Sequence, residues 1–405
     1  MSKKSSKDHV ANYLGKPRNK GDIELRQTPM RPIVDLIVCP MSNPSDVSFI
    51  EKAFQERDID PFNVVAVIGK SEGSGLPNDY GRLLADLKVR ELLARLRNTT
   101  PEAIADEVTI AISGGAPGTI APHATLLIQK WEEVDVSDEV VSTGGIVLGR
   151  SSTRDILPEH IGRVEQVDAI SEAVKLALDE AGVIDVNDVH MVLVKGPALT
   201  YDAITRAESS GVDVVTKDPG IGPMGSMCYS NDAMAIGVGV ALGEIDRAMV
   251  SNASVRSDWN LYSNLALTSS GGEKRKGEVL VVANRKDSGS RFKAGHGITS
   301  EFGENDGVKQ ALKNAGLDFD CCPSNEQKSQ IAQVFAKFTL PPSSTTKAGR
   351  VTVLEDHEAH HVAKAVGGAI VTSVTGLKMV FISGGEANSH MGPPGGNPVC
   401  AIVKI

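Results

Sequence analysis

Three apolar runs in this chain each end in a lysine: Val64-Val65-Ala66-Val67-Ile68-Gly69-Lys70, Met191-Val192-Leu193-Val194-Lys195 and Ala332-Gln333-Val334-Phe335-Ala336-Lys337. Each is followed downstream by serine ahead of glycine: Ser113-Gly114-Gly115, Ser269-Ser270-Gly271-Gly272-Glu273 and Ser383-Gly384-Gly385-Glu386. A serine hydroxyl is a weak nucleophile at neutral pH and needs a base. Lysine can be that base when neutral, so its pKa must fall well below the ordinary ~10.4. Burial and neighbouring positive charge both push it down, and three lysines converging on one site would repel one another. Glycine after the serine lets a ligand approach the backbone closely and lets an amide N–H point at a carbonyl oxygen. One such strand or turn alone is commonplace. Three copies in the same order point to one central site, built by three equivalent units and suited to a small flat molecule with several carbonyls.

These residues must be held by regular elements. The β-branched runs read as buried strands. The stretches 79–93, 232–245 and 358–371, between each lysine and its serine, read as helices, and so does 167–181. In the last, Val167, Ile170, Val174, Leu176 and Leu178 form an apolar face that Gly182 terminates. Strands alternating with helices predict an α/β fold, here three related repeats around the site. The lysine-to-serine separation is longest in the middle repeat, which places an insertion around 216–227. Clusters of Gly, Ser and charge suggest an arm at 1–30 and units at 31–150, 151–288 and 289–405.

The 405 residues carry 42 Lys and Arg against 51 Asp and Glu, a net charge of −9. A nucleic-acid partner is not expected, because a polyanion binder concentrates a basic face. The basic residues of the arm (Lys3, Lys4, Lys7, Lys16, Arg18 and Lys20) read as a solvated tail. No apolar run approaches the roughly 18 residues of a membrane span, and the start lacks a signal-peptide core. Cys39, Cys228, Cys321, Cys322 and Cys400 are scattered and odd in number, which fits a reducing, cytoplasmic setting. One motif points elsewhere: His357-Glu358-Ala359-His360-His361 matches the H-E-x-x-H zinc pattern. A zinc hydrolase would use His357 and His361 as ligands, Glu358 as base, and Asp356 or His390 as candidate third ligand. The competing reading is a solvated helix face. His123 reads as a turn residue, and Trp259 and Tyr262 as core aromatics before substrate-stacking ones.

In combination these segments resemble the cyanuric acid hydrolase and barbiturase family of ring-opening amidohydrolases, from about Pro32 to Ile405. The similarity is carried by Gly69-Lys70-Ser71-Glu72-Gly73 with Asn78-Asp79-Tyr80-Gly81-Arg82, and by Ser113-Gly114-Gly115 with Ala121-Pro122-His123. It continues in Asp258-Trp259-Asn260-Leu261-Tyr262-Ser263, Ser270-Gly271, and Ser383-Gly384-Gly385 with Gly392-Pro393-Pro394-Gly395-Gly396. The resemblance implies repeats arranged with threefold pseudosymmetry around a central active site, one Ser–Lys pair per repeat and a nucleophile in the second. Mapped here, that is Ser270 with Lys195 as base, because Ser-Gly-Gly-Glu aligns Ser270 with Ser383 without a gap; the neighbouring Ser269 is the alternative. Ser113, Gly114, Ser383, Gly384 and Gly271 would grip the substrate, supported by Lys70 and Lys337. The family's arginine in each repeat is matched by Arg82, while the equivalent positions read as Asn231 and as Ala363 beside Lys364. Fewer arginines imply a less symmetric ring, favouring barbituric acid over cyanuric acid. The resemblance further implies a homo-oligomer (tetramer or dimer) and no cofactor in the chemistry. The family's structural cation is in doubt, because Phe338 and Thr339 follow Lys337 where a glutamate ligand is usual.

Overall fold

Side chains alternate between the two faces of a strand, and the lysine-ended runs use those faces for different cores. In the second run Met191 and Leu193 enter one buried cluster, Val192 and Val194 another. A computed structural model describing residues 30–133, 144–340, 345–346, 349–350, 359–385 and 389–405 shows what the two faces meet.

The first unit runs β1 (Met30–Pro40), α1 (Ser48–Arg57), β2 (Val64–Ser71), α2 (Tyr80–Arg97), α3 (Pro101–Glu107), β3 (Thr109–Gly114) and β4 (His123–Glu133). The second runs β5 (Ile146–Ser152), α4 (Val164–Ala181), β6 (Val189–Pro197), α5 (Tyr201–Ser209), α6 (Ser226–Leu242), β7 (Ala266–Gly271) and β8 (Glu278–Asn284). The third begins β9 (Phe292–Thr299), α7 (Asp306–Asn314), α8 (Asn325–Gln330) and β10 (Ile331–Thr339). It continues through the short β11 (Thr345–Thr346) and β12 (Gly349–Arg350) to α9 (Ala359–Thr375), β13 (Phe381–Gly385) and β14 (Asn397–Lys404). The three four-stranded sheets have the orders β1-β4-β2-β3, β5-β8-β6-β7 and β9-β14-β10-β13. The chain takes the same path each time. In every unit the lysine strand and the serine strand are a parallel pair, and α2, α6 or α9 makes the crossover that parallel pairing requires.

One face of each sheet feeds a shared central core, with Ile68 and Leu127 from the first, Leu193 and Leu280 from the second, and Phe335 and Ile402 from the third. The other faces pack on their own helices. Strands buried on both faces read as continuous apolar runs. The helices fall where expected. Asp79 caps α2 by accepting from the Arg82 N–H, and Gly182 ends α4 at φ 64°.

Two boundaries differ from expectation. Residue 150 lies inside β5, which pairs along its length with β8, so strand pairing puts the first division between β4 and β5. The insertion of the middle unit is larger than 216–227 and comes in two parts, α5 with the loop to residue 225 and the stretch 243–265 after α6. The seam between first and second units is fastened by a buried ion network. Lys274 Nζ lies 2.9 Å from Asp86 Oδ2 and 2.8 Å from Glu278 Oε1, and donates to the Ile110 carbonyl at 2.8 Å. The arm at 1–29 lies outside the described residues. Among the described residues no helix is long and apolar enough to cross a membrane.

Candidate active site

Lys70, Lys195 and Lys337 stand two residues beyond Ile68, Leu193 and Phe335, on the face that turns to the shared core. All three are no more than 1% exposed. Strand register sets Lys70 beside Ser113, Lys195 beside Ser269 and Lys337 beside Ser383. The Nζ–Oγ distances are 3.2, 3.4 and 3.3 Å. Lys337 also donates to the Thr268 carbonyl of the middle unit at 3.1 Å. Ser113, Ser269 and Ser383, with the following residues Gly114, Ser270 and Gly384, line a single narrow cavity. The first and third couples expected from the sequence form, and Lys195 joins them at this cavity with Ser269 in place of the expected Ser270.

The register departs from the gapless alignment at one point. Ser269, not Ser270, is the counterpart of Ser113 and Ser383. Ser269 follows the core residue Leu267 by two, just as Ser113 follows Ala111 and Ser383 follows Phe381. Ser270 points to the opposite face, where its hydroxyl donates to the Met227 carbonyl at 3.1 Å. Its backbone takes the place that Gly114 and Gly384 hold in their units. Those two glycines are required: a Cβ on Gly114 would lie 1.7 Å from Asp79 Oδ2, and one on Gly384 2.6 Å from Lys364 Cγ.

The electrostatics separate the three lysines. Burial lowers Lys337 to about 8, and burial with the nearby Lys364 and Lys195 charges holds Lys70 well below the ordinary lysine value. Burial also lowers Lys195 to about 8, against the opposing pull of the Glu273 carboxylate. Glu273 Oε1 lies 3.0 Å from both Lys195 Nζ and Arg82 Nε. Burial disfavours its charge, yet those two cations hold it at about 2. Short range and a dry setting make these interactions strong.

The helices place three different side chains at the cavity wall. Arg82 comes from α2, Asn231 from α6 and Lys364 from α9. Asn231 is buried, and among the described residues its side-chain Oδ1 has no hydrogen-bond partner. Lys364 Nζ donates to the Gly114 carbonyl at 3.1 Å. The expected third position, Ala363, is fully buried and does not line the cavity. One residue is about 100° of helix rotation, and that turn brings Lys364 to the wall.

Other expectations fare differently. Gly271 lies outside the cavity lining, where a Cβ would meet the Glu273 carboxylate at 2.1 Å. His123 opens β4 opposite Lys70, with Nδ1 2.8 Å from the Ala121 carbonyl; burial lowers it to about 4. Trp259 packs on His390 and under Arg256, away from the cavity. Of the zinc pattern, Asp356, His357 and Glu358 lie outside the described residues. His361 Nε2 is 2.6 Å from the Ser74 carbonyl, which commits it to donating. His390 Nε2 accepts from the Arg256 N–H at 3.1 Å, and its Nδ1 meets the Leu261 carbonyl. Among the described residues no three His, Cys, Asp or Glu side chains are grouped to hold a metal. The two residues after Lys337, where a cation is implied, bring no carboxylate: Phe338 packs its ring against Gly367, and Thr339 bonds Asn397. These residues do not fit a carboxylate-bound cation. Sequence reasoning missed the ion pairs of Glu273 with Arg82 and Lys195, since Arg82 is remote in the chain, and it set Lys364 beside the site position without placing it there.

Comparison with known proteins agrees with this architecture. The family model described as amidohydrolase ring-opening protein matches residues 35–404. A cyclic amide hydrolase from Pseudofrankia inefficax is 54% identical over 375 residues, covering 92% of this chain and 95% of the relative. Barbiturase 1 from a Nocardioides species is 35% identical, covering 90% and 97%. A solved cyanuric acid hydrolase, described as an evolutionary innovation by structural concatenation, superposes with a TM-score of 0.85 at 33% identity, covering 93% of this chain and all of that one. Matched over nearly its whole length in sequence and in fold, the chain belongs to the ring-opening amidohydrolases and is a hydrolase of cyclic amides.

Proposed function

We propose that this hydrolase opens an unsymmetric cyclic ureide, barbituric acid in the first instance, with Ser269 as nucleophile and Lys195 as its base. The observation that carries the reading is the cavity wall. Three equivalent serine–lysine couples are overlaid by three inequivalent side chains, Arg82, Asn231 and Lys364. A ring with three identical edges gains nothing from three different partners, whereas a ring with one methylene edge does. The Asn231 Oδ1, lacking a partner, suits a ring N–H donor, and the two cations suit carbonyl edges.

The chemistry balances within these residues. Neutral Lys195 takes the proton from the Ser269 hydroxyl as Oγ attacks a ring carbonyl. Backbone donors at the glycine-equivalent positions receive the oxyanion. The ring C–N bond breaks, the proton passes from Lys195 to the departing nitrogen, and the ring stays attached to Ser269 as an open-chain ester. Water then gives its proton to Lys195 and attacks the ester, and Ser269 leaves with that proton restored. No step draws on a metal or a cofactor.

Rate assays on barbituric acid, cyanuric acid and a simple cyclic imide test the reading. Barbituric acid is expected to show the highest kcat/KM. A higher value for cyanuric acid would overturn the assignment of an unsymmetric ring.

A further inference from the structure

Three lysine–serine couples share one cavity with nearly equal separations, so distance alone does not choose among them. Their surroundings do. Lys70 meets the Ser113 hydroxyl and the Gly114 carbonyl, and Lys337 meets the Ser383 hydroxyl and the Thr268 carbonyl. Among the described residues neither lysine has a carboxylate at ion-pair distance, whereas Lys195 has Glu273 at 3.0 Å.

We propose that Glu273 is the positioning residue that assigns catalysis to the middle couple, acting through Lys195 as the third member of a Ser269–Lys195–Glu273 relay. The inference rests on the Ser269–Lys195 reading above. When Lys195 accepts the serine proton it becomes an ammonium ion in a dry site. A carboxylate already in place stabilises that ion and costs no reorganisation at the moment of reaction. The Glu273 side chain is 3% exposed, so the interaction is little screened by solvent.

The carboxylate is itself built in. Gly271 leaves room for it, since a Cβ there would lie 2.1 Å from Oε2. Arg82, from the first unit, shares the same Oε1 and tempers its pull, so Lys195 can still lose its proton near neutrality. The position four residues after the paired serine is Glu273 in the second unit but Pro117 in the first and Ala387 in the third.

The groups that set the Lys195 charge are Glu273 and Lys274 after β7, Arg82 from α2, and Lys70 and Lys337 from the neighbouring lysine strands. Glu273 is the one anion in this set. Its removal therefore favours the neutral amine, and the acidic limb of the rate profile should move to lower pH.

The test is the pH dependence of kcat/KM for wild type and E273Q on the best ring substrate, with thermal melting to verify the fold. The proposal expects kcat to fall by about a hundredfold and the acidic limb to shift down by about one pH unit or more. A purely structural role would lower activity or stability without moving the limb, and an unmoved limb in a folded E273Q overturns the proposal. Should E273Q fail to fold, E273D gives the reading. Its carboxylate is withdrawn by one methylene, so a several-fold loss of kcat with a smaller downward shift supports the proposal, and a wild-type profile overturns it. K195A and S269A are measured alongside. Wild-type turnover in either sinks the underlying dyad, whereas inactive dyad variants with an unmoved E273Q limb sink only the role of Glu273.

Discussion

Lys195 and Ser269 are register partners on adjacent parallel strands, with the amine 3.4 Å from the hydroxyl, while Ser270 sends its own hydroxyl to the Met227 carbonyl. A one-residue step along a strand reverses the facing of a side chain, so the two hydroxyls have different surroundings and the proposed mechanism gives them different duties. S269A is expected to lose at least a thousandfold in kcat. S270A keeps the backbone at its position and should stay within about tenfold of wild type, since its hydroxyl contributes one ordinary hydrogen bond. Steady-state assays of the two variants decide between them.

Lys195 is held at about 8 by burial acting against Glu273. In the proposed mechanism the working form is the neutral amine, so kcat/KM should climb as pH rises toward 8 and level off above it. At pH 6, two units below, the rate should be about a hundredfold under the plateau. A pH profile of the wild-type enzyme measures this directly.

The cavity wall predicts how substrate preference responds to substitution. N231A removes the buried acceptor of a residue that lines the cavity and should cost ~1–3 kcal/mol in transition-state binding, read as a drop of about 10- to 100-fold in kcat/KM. Restoring arginines with the double variant N231R/K364R should swing the ratio of cyanuric to barbituric acid turnover upward by about tenfold. Competition assays with both rings check the direction.

Lys274 carries no catalytic duty in this scheme but holds Asp86 and Glu278 across the first seam. In K274M Asp86 and Glu278 keep Arg90 but lose the second, fully buried cation between them, a change expected to destabilise the fold by about 1–3 kcal/mol. Denaturant melts would show it, and activity per folded molecule should change little on the alkaline plateau, while the acidic limb moves up because the Lys274 charge no longer lowers Lys195.

Much of this was legible in the residues themselves. Lysine at the end of an apolar run is informative because period two carries the shared-core face of Ile68, Leu193 and Phe335 onto the lysine. Helices α2 and α4 could be read from Asp79 and Gly182, whose side chain and backbone freedom mark their ends. The errors were of phase. Ser-Gly-Gly-Glu is a good textual match between Ser270 and Ser383, but strand phase follows Leu267 and Phe381, which points to Ser269. The same one-residue slip separated Ala363 from Lys364, where helix rotation and not spelling decides which residue reaches the cavity. Glu273 was beyond the reach of local pattern. Its partner Arg82 lies in another unit, and only the closing of the three sheets on one another brings them to 3.0 Å.

The central claim is that the middle couple makes the bond. Rapid acid quench of enzyme turning over a saturating ring substrate, followed by peptide mapping in a mass spectrometer, tests it most directly. The account predicts an adduct carrying the whole opened ring on Ser269. An adduct on Ser113, Ser270 or Ser383, or enzyme that stays unmodified through every quench point, would contradict it.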